Sequence, residues 1–337
     1  MKEYIRKVAD CVDLTEDEAV EAMKLIMGGD ASDAQTGAFL TALKMKGESP
    51  DEIAGFAKVM REYSTKIAPK VDGILVDVCG TGGDQKHTFN ISTTSMFVVA
   101  SCGVNIAKHG NRSITSKCGS ADILEALGAK IDLPPEKIEK CIEEVGIGFM
   151  FAPMHHPAMK HVMPARKQIG IRTVFNILGP LTNPANAQAQ LMGVFDAGLT
   201  DTIAKVFKKL GSKHVMVVHG EPGLDEISNI GKTKISEMND GVLMSRFIRP
   251  EELGIKKASI EDLHGGSPED NVRIVNDILS GKQSGPMLDI TLMNAAGGLI
   301  VGGVVKDFEE GIVKARQVIE DGTALKKLEE FIAYTNK

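Results

Sequence analysis

The first 65 residues read as helices, with polar punctuation between their apolar stretches. Thr15-Glu16-Asp17-Glu18 has the T-x-x-E form of a capping box, and Gly28-Gly29 stops the helix it opens. A second helix runs up to Gly47. Ser49-Pro50-Asp51-Glu52 opens a third, with Ser as N-cap, Pro at the first helical position and Glu three residues on. No strand is expected before residue 70. After Pro69 the pattern changes: short apolar runs at 74–78, 104–107, 148–151, 191–195 and 214–218 alternate with helical segments at 95–101, 121–127, 135–144 and 200–210. That alternation predicts an α/β domain with a mainly parallel central sheet flanked by helices, preceded by a small all-helical domain. The expected boundaries are 1–68 for the helical domain and 69–337 for the α/β domain. The stretch from Met163 to Asn186 breaks the rhythm with Pro180, Asn183 and Pro184, and residues 163–190 are expected to complete the helical domain. A chain of 337 residues has room for about two such domains.

Composition narrows the function classes. The net charge of −6 argues against non-specific nucleic-acid binding, which needs a basic excess or a dense basic stripe. No apolar run of about 18 residues is present, so no membrane span is expected. The N-terminus mixes both charges and has no h-region of a signal peptide. Cys11, Cys79, Cys102, Cys118 and Cys141 are scattered and lack C-x-x-C spacing. They read as small apolar residues in a reducing compartment, and the cytoplasm is the expected location.

The candidate chemistry starts at Val76-Asp77-Val78-Cys79-Gly80-Thr81-Gly82-Gly83-Asp84, an apolar strand emptying into a glycine turn closed by a carboxylate. Such a turn offers bare N–H groups to a phosphate. It fits neither Walker A nor the Rossmann fingerprint, which would need glycine where Gln85 stands.

Four clusters follow. Thr88-Phe89-Asn90-Ile91-Ser92-Thr93-Thr94 suits helix capping, and equally an oxyanion or Mg²⁺ site. Lys108-His109-Gly110-Asn111-Arg112-Ser113 follows a strand, where α/β proteins bind ligands, and would suit a phosphate. The alternative is a solvated turn. Thr115-Ser116-Lys117 and Ser120 extend that loop into the next helix. Arg166 taken alone reads as a surface residue. Asp225-Glu226 lies on a loop after a strand and suits Mg²⁺, although adjacent acids are also common surface decoration. His155, His156 and His161 lack the carboxylate or Cys partners of a zinc site. The pairs Gly297-Gly298 and Gly302-Gly303 read as points of close helix–strand approach.

Taken in order, residues 80–84, Asn90-Ile91-Ser92-Thr93, 108–113, Arg166 and Asp225-Glu226 resemble the anthranilate phosphoribosyltransferases. Asn176-Ile177-Leu178-Gly179-Pro180-Leu181-Thr182-Asn183-Pro184 and the helical N-terminus extend the resemblance over essentially the full chain. It implies transfer of the phosphoribosyl group of phosphoribosyl pyrophosphate to the amine of anthranilate, with release of diphosphate, in tryptophan biosynthesis. It also implies a homodimer joined through the helical domains and an active site between the two domains.

Residue by residue, the resemblance puts phosphoribosyl pyrophosphate on Gly80, Gly82, Gly83, Asp84, Thr88, Asn90, Ile91, Ser92, Thr93, Lys108, Gly110, Asn111, Arg112, Ser113, Ser116 and Ser120. Anthranilate falls to Gly80, Asn111, Arg166 and His156, and two Mg²⁺ ions to Ser92, Asp225 and Glu226. Lys108, Arg166 and His109 carry the catalytic roles, with no firm general base among them. Two rivals on related scaffolds are a pyrimidine nucleoside phosphorylase, whose Lys-His loop continues without Gly-Asn-Arg, and a nucleic-acid-binding relative, which should be basic and could lack the acids.

Overall fold

The computed structural model describes residues 1–84, 86–113 and 118–337. Four helices come first: α1 (Lys2–Ala9), α2 (Glu16–Met27), α3 (Asp33–Lys46) and α4 (Pro50–Glu62). Thr15, Ser32 and Ser49 each close a reciprocal capping box with the residue three positions on. Each such cap contributes about 1 kcal/mol. The box at Ser32 and the separate first helix go beyond the three helices read from the sequence.

The alternating region follows as β1 (Leu75–Gly80), α5 (Ile91–Ser101), β2 (Asn105–Gly110), α6 (Ser120–Ala126), α7 (Pro135–Val145) and β3 (Ile147–Phe151). The irregular connection carries α8 (Ala152–His155), α9 (Met163–Ile169) and α10 (Phe175–Leu178). Next come β4 (Ala189–Gly193), α11 (Leu199–Lys209), β5 (His214–Gly220), β6 (Thr233–Asn239) and β7 (Val242–Ile248). Helices α12 (Pro268–Leu279), α13 (Pro286–Val301), α14 (Phe308–Glu320) and α15 (Thr323–Thr335) close the chain.

The seven strands form one sheet in the order β3-β2-β1-β4-β5-β6-β7, and its first five members are parallel. The last two strands extend the sequence reading. They add an antiparallel hairpin whose turn is Asp240-Gly241, with φ of 45° and 82°. Asp-Gly between two strands is the signature of a two-residue hairpin turn that needs φ > 0 at both positions.

Strand alternation gives the sheet two apolar faces. Val76, Val78, Ile106 and Leu191 face α5 and α13, and there Gly298 abuts Val78 and Gly297 abuts Leu191. A Cβ on either glycine would sit 2.8 Å from a neighbouring side chain, so the expected close approach is present. The opposite face presents Met192, Val194, Val215 and Val217. They share a core with α11, with Phe39 and Phe56 of the helical bundle, and with Phe175 to Leu181 of the connection. One apolar core thereby seats the helical bundle on the sheet, and the C-terminal strand ends lie beside it.

Candidate active site

Three strands end in the residues singled out above, and all three ladders run further than their apolar runs. Lys108, His109 and Gly110 belong to β2 itself, Gly80 to β1, and Gly220 to β5. The sequence reading puts the Lys-His pair beyond the strand because hydrophobicity stops at Ala107. The backbone ladder does not depend on side-chain polarity.

Beyond Gly80 the chain wraps around Asp225. The amide of Gly82 donates to Asp225 Oδ2 at 2.7 Å, and the Thr81 hydroxyl donates to the same oxygen at 3.2 Å. Two donors of the glycine turn thus hold a protein carboxylate. A Cβ on Gly80 would lie 2.6 Å from that oxygen, and one on Gly193 would overlap the Asp225 carbonyl outright. Gly193, at the end of β4, is invisible to sequence reasoning, because one glycine closing a strand has no local signature. Backbone cannot yield to a methyl there, so Gly193→Ala must displace the Asp225 loop. A shift of about 1 Å in a reactive site costs on the order of 10²-fold. Steady-state kinetics of Gly193→Ala should show a loss in kcat/KM of about that size in a folded protein. Arg172, which no motif marks either, donates to the Gly83 carbonyl at 2.6 Å and stacks on Phe195 at 4.7 Å. It braces the turn from outside.

Asp225 is buried, and its carboxyl is held well above the usual range, first by burial and then by the charge of Asp84. Glu226 is pushed the same way by burial and by Asp225, with Lys108 opposing. Its carboxylate accepts the Ser92 amide, and Lys108 Nζ reaches the Ser92 hydroxyl at 3.3 Å. Lys108 is only 1% exposed and also donates to the Val78 carbonyl. The structure therefore brings Asp84, Ser92, Lys108, Asp225 and Glu226 together.

Carboxylates held above their usual range by burial and by neighbouring acids are short of positive charge, and the groups around them offer oxygen ligands. This set fits Mg²⁺, a hard cation that takes one or two carboxylates and fills its remaining positions with water and phosphate oxygens. Among the described residues no group of three or more His, Cys, Asp or Glu is arranged to hold a metal by itself. A site completed by the phosphates of a bound ligand needs no such cage.

The hydroxyl-rich segment starts α5, with Asn90 as N-cap. Its side chain turns away to donate to the Cys118 carbonyl at 3.1 Å, and Thr94 bonds back to the Asn90 carbonyl. Thr88 bridges to His264, tying this segment to the loop before α12. Ile91 and Thr93 are buried in the first turn of α5. Across the site, Ser120 Oγ donates to the Asn111 carbonyl, and Asp122 accepts the amides of Ser113 and Gly119. Gly110 is crowded by Ser120 Oγ and the Phe149 ring. Arg112 is engaged at the surface, paired with Asp122 and Glu125 at 3.0 and 2.5 Å and lying over Phe151. Ser116, with Thr115 and Lys117, lies outside the described residues.

Arg166 sits on α9, partly buried, over the Phe175 ring at 5.4 Å and near the Met163 sulfur. It has no carboxylate partner among the described residues, and burial lowers its pKa. It stands on the connecting segment, away from the elements that carry the acids.

His109 and His156 form a second pair, ring centroids 5.0 Å apart. Burial and the neighbouring imidazoles hold His109 well below its ordinary value, and burial with His155 brings His156 down to about 4. Both are neutral at pH 7. The unfolded chain takes up a proton near pH 6.5 that native His156 refuses. Stability is therefore fully present above about pH 6.5 and falls as pH drops toward 4, by roughly 3 kcal/mol for His156. Urea midpoints between pH 8 and 4.5 should show this loss reduced in His156→Gln.

Of the five cysteines, Cys79, Cys118 and Cys141 are buried and Cys102 is partly so. Cys11 departs from the expected apolar role: it is exposed at the end of α1 with φ of 58°. No helix among the described residues is long and apolar enough to cross a membrane.

A glycine turn closed on a buried carboxylate, a buried ammonium and paired acids at parallel strand ends, seated against a helical bundle, match the fold of a glycosyl transferase family. The family model described as "Glycosyl transferase family, a/b domain" matches residues 72–325, and "Glycosyl transferase family, helical bundle domain" matches 2–64. An anthranilate phosphoribosyltransferase of Acetivibrio thermocellus is 51% identical over 336 residues, covering 100% of this chain and 97% of that protein. The crystal structure of the Thermus thermophilus anthranilate phosphoribosyltransferase superposes with a TM-score of 0.94 at 41% identity, over 99% of both chains. The Saccharomyces cerevisiae enzyme in complex with PRPP and Mg superposes with a TM-score of 0.90 at 31% identity, over 99% of this chain and 97% of that one. That enzyme has also been solved in complex with 4-fluoroanthranilate, at a TM-score of 0.89, 29% identity and the same coverage. This chain belongs to the anthranilate phosphoribosyltransferase family.

Proposed function

We propose that the protein transfers the 5-phosphoribosyl group of phosphoribosyl pyrophosphate to the amine of anthranilate, releasing diphosphate, as a step of tryptophan biosynthesis. Full-length relatives carry this name, and a structural neighbour was solved with PRPP and Mg. The observation that carries the reading is the buried Asp225 and half-buried Glu226 beside Lys108, Ser92 and the glycine turn.

The aniline-type nitrogen of anthranilate is unprotonated at pH 7 and attacks C1 of the ribose as the C1–O bond to diphosphate breaks. Positive charge develops on the ring and negative charge on the leaving group. Orientation of the two substrates alone can contribute roughly 7–11 kcal/mol. Residues 80–84 cradle the diphosphate, with Asn90, Ile91, Ser92 and Thr93 continuing the site at the start of α5 and Thr88 beside it. Lys108, Gly110, Asn111, Arg112, Ser113, Ser116 and Ser120 serve the phosphoribosyl moiety, and Arg112 would exchange its surface carboxylates for a phosphate. Ser92, Asp225 and Glu226 would hold magnesium, two ions per site. When bound, the metal stabilises charge on the departing diphosphate.

Arg166 pairs with the anthranilate carboxylate, with Gly80 and Asn111 beside it. His109 and His156 line its path as neutral acceptors. Division at about residue 68, completion of the helical domain by 163–190, a homodimer through that domain and a cytoplasmic location belong to the same reading.

Mass spectrometry of a reaction with anthranilate, phosphoribosyl pyrophosphate and Mg²⁺ should show anthranilate gaining one phosphoribosyl group. Uridine or thymidine with orthophosphate should yield no free base. Phosphorolysis in place of the first reaction would favour the nucleoside phosphorylase alternative.

A further inference from the structure

Asp77 lies in β1, the middle one of the five parallel strands, and is fully buried. Its neighbours Val76 and Val78 face the apolar core under α5 and α13, so its carboxylate enters the opposite face. A valine would fill such a position, and a buried carboxylate is costly unless it holds something. None of the roles assigned above uses it.

What it holds is specific. Asp77 Oδ2 accepts from Asn183 Nδ2 at 2.8 Å, and the same nitrogen donates to the Ala107 carbonyl at 2.8 Å. Asn183 Oδ1 accepts the Ala185 amide at 2.9 Å, so that side chain is saturated by the strand on one side and by its own turn on the other. The other oxygen of Asp77, Oδ1, is buried with no hydrogen-bond partner, and Lys108 is the positive charge nearest to the carboxylate. Asp77 therefore joins the end of β2 to the turn at 179–183.

That turn is fixed from other directions too. Gln190 donates to the Pro180 carbonyl and Arg61 of α4 to the Leu181 carbonyl, each at 2.8 Å. The turn in turn fixes a ring. The His109 imidazole lies beside the Gly179 carbonyl, which favours a proton on the ring, while its Nε2 is buried with no partner. A proton on Nδ1, directed at that carbonyl, leaves Nε2 with a lone pair.

We propose that Asp77 is a positioning residue for the transfer reaction: through Asn183 it holds the 179–183 turn against His109, so that His109 Nε2 stands ready to accept a hydrogen bond from the anthranilate amine. This rests on the reading that His109 lines the anthranilate site. Asp77→Asn keeps the volume but removes the charge that strengthens the bond from Asn183, and Asn183→Ala removes the tie from the other end.

The test is full steady-state kinetics, with thermal melting alongside, of Asp77→Asn, Asn183→Ala, the double variant and His109→Ala. Asp77→Asn and Asn183→Ala should each lower kcat/KM for anthranilate by about 10- to 100-fold and leave KM for phosphoribosyl pyrophosphate within about twofold. The double variant should be no worse than the poorer single one. A lowered melting point with unchanged kcat and KM values, equal losses for both substrates, or additive losses would overturn the proposal. Should Asp77→Asn fail to fold, Asn183→Ala carries the same expectation. If His109→Ala leaves the anthranilate KM and kcat unchanged, the reading of His109 falls and the proposal with it. If His109→Ala impairs anthranilate use and the Asp77 and Asn183 variants do not, the proposal alone falls.

Discussion

Asp225→Asn combined with Glu226→Gln should lower kcat by about 10³-fold or more while leaving the fold intact. The two substitutions keep the size of each side chain and remove only charge. The folded protein spends stability to hold these acids, since burial raises the pKa of both, Asp84 raises that of Asp225, and Asp225 and Asp84 raise that of Glu226. Neutral amides in the same places should leave the melting point equal or higher. On the proposed mechanism the reaction should suffer instead, because these residues would hold the magnesium that balances charge on the departing diphosphate. Loss of a single well-placed electrostatic contact costs roughly 10²–10³-fold in other enzymes, and here two are removed together. Kinetics across a Mg²⁺ titration, paired with thermal melting, checks both halves. Full activity at any Mg²⁺ concentration would rule out the metal assignment. His109→Ala should cost less than this pair, and a larger loss would revive general-base catalysis.

Arg166→Ala should raise KM for anthranilate by about 10- to 100-fold with little change in KM for phosphoribosyl pyrophosphate. A hydrogen bond to a charged group contributes about 1.5–3 kcal/mol, which sets that range. The guanidinium is partly buried, lies over Phe175 and has no acidic neighbour among the described residues, so its charge is available to a substrate carboxylate. Arg166→Lys should recover only part of the loss, because an ammonium cannot form the two parallel bonds of the guanidinium fork. Equal increases in both KM values would contradict the role.

Local chemistry makes much of the fold readable. Thr15 and Ser49 announce their helices through side chains that bond their own backbone, so the signal lies within four residues. The β6–β7 hairpin is equally local at its turn, since Asp240-Gly241 is a hairpin signature, yet its strands escape a reading based on apolar runs. The exposed, mixed sequence of Val242–Ile248 lacks the continuous apolar run of a buried strand. At the site, Gly80, Ser92, Lys108, Asp225 and Glu226 can be named because motifs carry them, and the folded chain brings Ser92, Lys108 and the two acids together.

Other roles depend on contacts made across the sheet, and these leave no mark on neighbouring residues. Gly193 matters because Asp225, more than thirty positions away, presses against it. Asp77 looks like one more member of a strand until Asn183, 106 positions on, is seen bonded to it. Arg112, a free cation by its motif, is held by Asp122 and Glu125, which only the helix that follows could supply.

The most direct measurement is the decay of anthranilate fluorescence in the presence of the purified protein, run with and without phosphoribosyl pyrophosphate and Mg²⁺. Fluorescence should fall only when all three components are present, with one diphosphate released per anthranilate consumed. Steady fluorescence in the complete mixture, from a protein shown to be folded, would contradict the assigned reaction.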